Sequence, residues 1–312
     1  MTFSDKPIQI RVHLLLLFST TLVSTSFIVA EMITDSLDPI ALTFIRFLMA
    51  ALLLLPLIWH RHGLAITLFS VGRYAMISGC LVLFFWAMFL SLRYTTSLNI
   101  SVLFTLVPAM SAIYAGFINR EKISHSLTLA LSVGLIGAVW VIFEGDLQRL
   151  RALEWNRGDL IFFAGCLAMA LYTPLVKLLH RKEPMEVMTF WVLVTGCIWL
   201  LPGTVGVLAG TSLTAIPTTT WLWIVYLALF STVISFYCTQ YATGIIGPTR
   251  TISYSYLYPL LVMVLNYLLG RGWPPLQVIP GIVLTLAAML LLLPASPQNG
   301  KGAAERQGSE RG

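Results

Sequence analysis

The sequence predicts an all-α integral membrane protein whose ten transmembrane helices form two inverted five-helix repeats. Three observations support this fold class. The composition is too apolar for a water-soluble surface, and ten stretches are long enough to cross a bilayer. The second half of the chain also repeats the order of apolar runs, charged turn and prolines found in the first half. Because each half contains an odd number of helices, the second half must cross the membrane in the opposite sense to the first.

The composition indicates that lipid is the solvent of most side chains. Of 312 residues, 58% are hydrophobic and only 10% are charged, and the mean hydropathy is +0.86. A soluble domain carries about 25% charged residues. The net charge of +6 does not indicate a nucleic-acid partner, because lysine and arginine fall in short clusters between apolar runs, as in cytoplasmic loops. The expected partners are the lipid bilayer and a small-molecule substrate, with no nucleic acid.

Ten apolar segments reach the length of about 20 residues that a helix needs to cross the hydrocarbon core. Glycines and Pro217 mark the break between the seventh and eighth segments, where no charge separates the two apolar runs. The predicted spans are residues 12–30, 39–59, 74–93, 95–118, 123–143, 158–177, 185–208, 218–242, 249–270 and 274–294.

The two halves of the chain match in pattern rather than in letters. Residues 96–143 consist of an apolar run, a short charged turn and a second apolar run, and residues 247–294 repeat this arrangement. Such self-similarity at a fixed spacing indicates a duplicated unit. The matched pairs are Pro108 with Pro259, Arg120 with Arg271, Phe44 with Phe190, and Pro56 with Pro202.

The repeat and the charge distribution together predict the domain organisation. With the N-terminus inside, most of the 19 lysines and arginines lie on the side of the two termini. The positive-inside rule therefore predicts a multi-pass protein of the cell membrane with both termini in the cytoplasm. The predicted parts are a cytoplasmic N-terminus at 1–11, a first repeat at 12–143, an outer linker at 144–157, a second repeat at 158–294, and a disordered cytoplasmic tail at 295–312.

Several phrases of the sequence have the form of a known family of membrane proteins. They are the second-helix phrase Phe44–Pro56, the fourth helix up to Pro108, the turn Arg120–Lys122, and Gly247–Arg250 running to Pro259. With these phrases and the repeat, residues 12–294 resemble the ten-helix EamA branch of the drug/metabolite transporter (DMT) superfamily. The sequence departs from that pattern at Val23–Ser24, where a Trp-Gly pair is common, and at Gly270–Gly272, where a glutamate is usual.

The resemblance implies a secondary transporter of small metabolites, since known members export amino acids and other metabolites. Alternating access and export are the expected mechanism and direction. An importer, a channel and an intramembrane enzyme are the alternatives. No nucleophile–base pair suits a buried hydrolase, and no P-loop is present. No enzymatic activity, cofactor or metal site is expected, and both a monomer and a homodimer are compatible with the sequence.

The candidate substrate site lies around two matching prolines. Pro108 and Pro259 each remove a helix hydrogen bond and leave the carbonyl four residues earlier, on Phe104 or Ser255, without its helical donor. Polar groups cluster nearby at mid-depth, which indicates a cavity lining, although interhelical hydrogen bonding is the alternative. Of these residues Tyr256 is expected to contact substrate. The substrate-binding candidates are Asn99, Thr105, Pro108, Tyr237, Tyr254, Tyr256 and Pro259, together with Arg46.

Arg46 is a charged residue well inside a predicted helix, about 10 Å below the outer surface at 1.5 Å per residue from Pro39. A buried arginine costs at least about 2.5–3.5 kcal/mol on insertion, so a partner is expected. One interpretation is a clamp for a carboxylate or phosphate on the substrate. The other is a structural pair with an outer carboxylate such as Glu31 or Glu144, or with helix-end carbonyls. The repeat favours the structural hypothesis, since the equivalent residue is Val192.

Overall fold

The computed structural model describes residues 6–120, 125–148, 156–181, 183–212, 214 and 216–292, and every regular element in these ranges is helical. The predicted tail at 295–312, and Glu121 and Lys122 of the predicted turn, lie outside the described residues. The α-helices are α1 (Lys6–Ile33), α2 (Pro39–His62), α3 (Leu68–Ser91), α4 (Ser97–Phe104), α5 (Val107–Ile118), α6 (His125–Ile142), α7 (Arg157–Leu179), α8 (Met185–Ala209), α9 (Thr218–Ala228), α10 (Ser235–Ile246), α11 (Pro248–Ser253), α12 (Tyr258–Leu268) and α13 (Ile279–Leu292).

Short turns of other helix types connect some of these helices. A π-helical turn at Leu229–Ile234 joins α9 to α10, and 3₁₀-helical turns at Tyr254–Leu257 and Leu276–Val278 precede α12 and α13. Together, α4–α5 form the span Ser97–Ile118 and α9–α10 form the span Thr218–Ile246. A 3₁₀-helical turn likewise joins α11 to α12, which are counted here as one interrupted span.

Each of the ten predicted spans coincides with helical structure in its described part, so the predicted fold class is confirmed. Among the described residues, seven helices are long and apolar enough to cross a membrane, including Ser97–Ile118 and Thr218–Ile246. Two shorter apolar helices, Leu127–Ile142 and Leu276–Leu292, and the interrupted span α11–α12 complete the set. Gly210 and Pro217 do mark the boundary, since α8 ends at Ala209 and α9 begins after Pro217, whereas Gly203 and Gly206 lie inside α8.

The duplicated unit is visible in the positions at which the helices break. The fourth span is divided into α4 and α5, and its counterpart in the second half is divided into α11 and α12. Pro108 and Pro259 are each the second residue after the break. Proline is tolerated in the first helical turn, because an N–H group there would have no acceptor within the helix and because the φ angle of proline suits the helix. Proline therefore begins the second piece in both halves.

Two pairs of corresponding helices of the two halves pack against each other. The second spans, α2 and α8, form one such contact, and the fifth spans, α6 and α13, form another. Gly137 and Gly281 make the second contact possible, because a Cβ atom on either glycine would lie 2.6 Å from the carbonyl oxygen of the other. Two backbones can approach this closely only where side chains are absent.

The two ends of the bundle are held by different polar contacts. At the end where α1 begins, here called the N-terminal face, Arg73 donates to Leu179 O at 2.6 Å and pairs with Glu183 at 3.2 Å. Burial acts to raise the pKa of Glu183, but backbone N–H donors and the charge of Arg73 outweigh it and hold the pKa below its usual value. At the other end, here called the opposite face, Arg93 donates to the carbonyls of Thr34 and Leu37.

Candidate functional site

A cavity of about 310 Å³ lies between α1, α7, α10 and the two divided spans. This central cavity extends from Met185 at the N-terminal face to Phe104 and Tyr258 in the middle of the bundle. Its volume is in the range of small-molecule sites. The lining consists of Leu16, Ser19, Thr20, Phe104, Val107, Pro108, Met169, Tyr172, Thr173, Val176, Met185, Phe236, Thr239, Gln240, Thr243, Thr251, Ile252, Tyr254, Ser255 and Tyr258.

Both helix breaks contribute to the lining, at matching places in the two halves. Phe104 and Pro108 reach the cavity from the first half, and Ser255 and Tyr258 reach it from the second. The expectation that the Ser255 carbonyl lacks a backbone donor is wrong, because the Tyr258 N–H donates to it in a 3₁₀-type hydrogen bond. A tightened turn thus supplies the donor that Pro259 lacks.

The polar groups of the central cavity are hydroxyls and one amide, and the lining side chains carry no charge within the described part of the chain. Most hydroxyls already bond to the bundle: Ser19 Oγ donates to Ser235 O at 3.0 Å, and Thr20 Oγ1 donates to Leu16 O at 2.6 Å. The side-chain amide of Gln240 has no hydrogen bond to any described residue. Gln240 is therefore the lining group best able to donate to and accept from a ligand.

An aromatic layer closes the central cavity toward the opposite face. The rings of Phe104 and Tyr258 lie 5.4 Å apart, and each also packs against Phe27, at 5.9 and 5.8 Å. Phe84 extends the layer from α3, with its ring 5.5 Å from that of Phe104. These tilted and edge-to-face arrangements are the favourable geometries for aromatic pairs. The layer separates the cavity from the other end of the bundle.

A second hollow of about 350 Å³ lies at the opposite face, and a polar network crosses it. Glu31 forms an ion pair with Arg271 and accepts hydrogen bonds from the backbone N–H and the hydroxyl of Ser97. The amide of Asn266 donates to Ser97 Oγ at 3.3 Å. The network therefore ties α1, α4 and the end of α12 together above the aromatic layer. Asn99 lines this hollow rather than the central cavity.

Arg46 is buried, with 1% of its surface exposed. Its Nε donates to Thr232 Oγ1 at 3.1 Å, its Nη2 contacts Ser231 Oγ at 3.5 Å, and its guanidinium lies 4.2 Å from the ring centre of Phe85. The expected pairing with Glu31 is wrong, because Glu31 pairs with Arg271. No described carboxylate, Glu144 included, lies within ion-pair distance of Arg46. Its partners are hydroxyls of the π-helical turn, not helix-end carbonyls.

A third cavity, here called the lateral groove, lies between α2, α8 and the π-helical turn with α10 and has a volume of about 320 Å³. Its walls are largely apolar, and Tyr237 lines it with 67% of its surface exposed. The lateral groove shares Met185, Phe236 and Gln240 with the central cavity. The two cavities therefore adjoin near the N-terminal face.

The structure separates the sequence-predicted site residues into three groups. Pro108 and Tyr254 line the central cavity, and the Tyr254 hydroxyl lies 2.6 Å from Nδ1 of His13. Asn99 and Tyr237 line the other two hollows. The remaining candidates are buried in helix packing outside all three cavities: Arg46, Thr105, Tyr256 and Pro259.

The expectation that Tyr256 lines the cavity is corrected by its neighbours. Its ring lies against Gly134, where an added Cβ would be 2.5 Å from Cε1 of the tyrosine. Its side chain is fully buried, and its hydroxyl has no hydrogen-bond partner among the described residues. The 3₁₀-helical turn is the physical reason, because it directs Tyr254 and Ser255 to the cavity and Tyr256 toward α6.

Sequence reasoning missed the contribution of α1 and α10 to the central cavity. The missed residues are polar side chains in otherwise apolar helices, and Gln240 is the most informative of them. Thr239, Gln240 and Thr243 lie within one helical turn, a local polar cluster that a search for charged residues does not detect. Within the described ranges, no group of three or more His, Cys, Asp or Glu residues is placed to hold a metal ion.

Comparison with known proteins agrees with the duplicated membrane fold. The model of the EamA-like transporter family matches residues 10–143 and again residues 156–293. An uncharacterized transporter of Archaeoglobus fulgidus is 26% identical over 284 residues, which cover 90% of this chain and 96% of that protein. The uncharacterized transporter YyaM of Bacillus subtilis is 26% identical over 201 residues, 64% of this chain and 66% of that protein.

A solved crystal structure has the same fold, with a TM-score of 0.64 and 17% sequence identity over 95% of this chain and 98% of that one. At this identity the likeness concerns the fold alone. The family match covers both halves of the chain, and the apolar helices account for its passage through a bilayer. The chain is therefore a multi-pass membrane protein and belongs to the EamA-like transporter family.

Proposed function

We propose that this protein is a secondary transporter that moves a small metabolite by alternating access, with the central cavity as its substrate site. The observation that carries the proposal is the position of this cavity. It lies at the breaks of corresponding spans in two halves of opposite sense, and the aromatic layer and the Glu31–Arg271 network close it on one side. Sites between inverted repeats, at interrupted helices, suit such a mechanism.

The proposed orientation places both termini in the cytoplasm and the protein in the cell membrane. The distribution of lysine and arginine supports it, through the positive-inside rule. In this orientation the central cavity reaches the cytoplasmic side, and the Glu31–Arg271 network lies outside. Export is the direction proposed, because a conformation open to the cytoplasm is the one that loads an exported substrate.

The proposed substrate is an amino acid or a related small compound. A cavity of about 310 Å³ accommodates a molecule of this size. The aromatic rings of Phe104, Phe236 and Tyr258 suit an apolar or aromatic side chain, and Gln240 and the hydroxyls suit its polar groups. No catalytic role is proposed, since the lining combines no nucleophile with a general base.

The experiment compares metabolites in the culture medium by mass spectrometry. Four strains are compared: empty vector, wild type, Gln240→Ala and Gln277→Ala, the last two at equal membrane abundance. Gln277 is exposed and lies outside the three cavities, so it provides a matched control. We expect one or a few compounds to accumulate outside with wild type and Gln277→Ala, and markedly less with Gln240→Ala.

Two outcomes would contradict the proposal. Indistinguishable media from wild type and vector would argue against export, and uptake of labelled metabolites would then be measured. Accumulation that Gln240→Ala leaves unchanged would remove the central cavity from the pathway. Counterflow in proteoliposomes, with the exported compound on both sides, separates a transporter from a channel, because a channel shows no countertransport.

A further inference from the structure

The guanidinium of Arg46 has fewer acceptors than its environment requires. Arginine carries five N–H donors and a permanent charge. In Arg46 the guanidinium contacts the hydroxyls of Ser231 and Thr232 and the face of the Phe85 ring. Its Nη1 has no hydrogen-bond partner among the described residues. A buried charge without a counter-charge is strongly unfavourable in a low-dielectric interior. Nη1 is therefore a donor for which the described residues supply no acceptor.

The Thr232 hydroxyl is oriented as an acceptor for this arginine. Thr232 Oγ1 donates its single proton to Leu227 O at 2.9 Å, which leaves its lone pairs for Arg46 Nε. Both hydroxyls lie on the π-helical turn Leu229–Ile234. Such turns insert a residue into an α-helix and occur frequently at functional sites. The arrangement fixes the guanidinium fork at one edge and leaves the Nη1 edge for another group.

The lateral groove ends beside the hydrogen-bond partner of this arginine, Thr232. Thr232 lines the groove and is at the same time in hydrogen-bond contact with Arg46. The groove walls are mainly apolar and aromatic, and include Leu54 and Tyr237. The acidic residue among the described lining residues, Glu186, lies at the N-terminal face in the first turn of α8. A ligand that suits both parts has an apolar body for the groove and an anionic head for the guanidinium. A carboxylate satisfies the second condition best, because its two oxygens match two N–H groups of arginine.

We propose that Arg46, Ser231 and Thr232 form an anion-binding site at the deep end of the lateral groove, and that it takes the carboxylate of a small apolar acid. The site is separate from the central cavity, whose lining has no described charge. Because Arg46 itself is 1% exposed and does not line the groove, a carboxylate reaches it only when the helices around the deep end of the groove move locally. The proposal concerns binding and does not depend on the direction or the cargo of transport.

The test measures thermal unfolding of purified protein in detergent with sodium benzoate, benzamide or sodium chloride, the salts at equal ionic strength. Benzamide has the same ring without the charge. A ligand that binds only the folded state raises Tm, because it stabilises that state by RT ln(1 + [L]/Kd). We expect benzoate to raise Tm of wild type and benzamide to have no effect. Arg46→Gln should weaken the apparent benzoate affinity about tenfold or more. It removes the positive charge, and hydrogen bonds to charged groups are stronger than those between neutral groups.

Arg93→Gln is the matched control, because Arg93 bonds to backbone carbonyls at the opposite face and lies outside the groove. It should keep the wild-type response. Equal benzoate shifts in wild type and Arg46→Gln would overturn the proposal. An equal response to chloride and benzoate would assign the site to free anions. If Arg46→Gln does not fold, Thr232→Val retains the charge and removes one acceptor that positions it, and an unchanged benzoate response would then overturn the proposal.

Discussion

Single residues inside the bundle differ in whether their polar atoms have partners. Most buried hydroxyls bond to a carbonyl three or four residues earlier, as Thr105 does to Val102 O at 2.6 Å and Ser24 does to Thr20 O at 2.8 Å. Such bonds satisfy a hydroxyl in lipid without any ligand. Tyr256 is different, because its buried hydroxyl has no partner among the described residues. Its contribution is the packing of its ring.

The first prediction separates the ring of Tyr256 from its hydroxyl. We expect Tyr256→Phe to retain or raise thermal stability, because it removes a buried polar group without a partner. We expect Tyr256→Ala to lower the free energy of unfolding by about 3–5 kcal/mol, as truncations of large aromatic side chains in cores do. Thermal unfolding of the purified variants measures both. A stable Tyr256→Phe protein that has lost transport would instead return this residue to the substrate site.

At the scale of elements, some of the spans that line the central cavity are interrupted, whereas α6 and α13, which join the two repeats, are continuous and closely packed. The divided spans α4–α5 and α11–α12 place residues from both halves in one cavity. The contact of α6 with α13 holds the same two halves together, and backbone atoms of Gly137 and Gly281 meet there. Interiors of this density tolerate little added volume.

The second prediction concerns that contact. We expect Gly137→Ala to lower the free energy of unfolding by about 1–3 kcal/mol, the usual cost of overpacking, because the new Cβ would lie 2.6 Å from Gly281 O. Gly79→Ala in α3 is the matched control, since nothing lies within 4 Å of its added Cβ. It should be neutral or stabilising, by up to about 1 kcal/mol, through helix propensity. Equal Tm changes in the two variants would contradict the close contact.

At the scale of the whole molecule, the two faces carry different charges at corresponding positions. When the two halves are aligned so that Phe44 matches Phe190, the end of α1 at Ile33 matches the end of α7 at Leu179. In this alignment Glu31 corresponds to Lys177. Likewise Arg271 corresponds to Arg120. An acid–base pair at the opposite face is thus matched by two bases at the N-terminal face. Attraction between Glu31 and Arg271 favours closure at the opposite face.

The third prediction tests this closure. In a background without native cysteines, Asn99→Cys places a thiol in the opposite-face hollow. We expect Arg271→Gln to increase its labelling by a membrane-impermeant maleimide about two- to fivefold, the effect of losing a partly exposed ion pair of up to about 1 kcal/mol. The exchanged pair Glu31→Arg with Arg271→Glu should restore the original rate. Equal labelling in all three proteins would show that the pair does not hold this face closed.

The candidate site was predictable in outline but not in detail. The prolines correctly located both helix breaks, and Pro108 and Tyr254 do line the central cavity. Tyr256 and Tyr254 are nearly equivalent in sequence, yet one is buried against α6 and the other reaches the cavity. The difference depends on the tight 3₁₀-helical turn between them. A turn of this kind changes the direction of successive side chains without a strong sequence signal.

The sequence alone determined the number of spans and the duplication. The number of spans follows from a local requirement, because a bilayer demands about 20 apolar residues per helix. Proline alone did not determine the helix breaks: α4–α5 and α11–α12 break just before Pro108 and Pro259, whereas Pro56, Pro174 and Pro202 lie inside continuous helices. The tertiary structure alone decided that Gln240 lines the cavity, that Glu31 pairs with Arg271, and that Arg46 contacts the π-helical turn. The physical reason is that partners far apart in the chain are chosen by helix rotation and packing, which depend on every neighbouring helix at once.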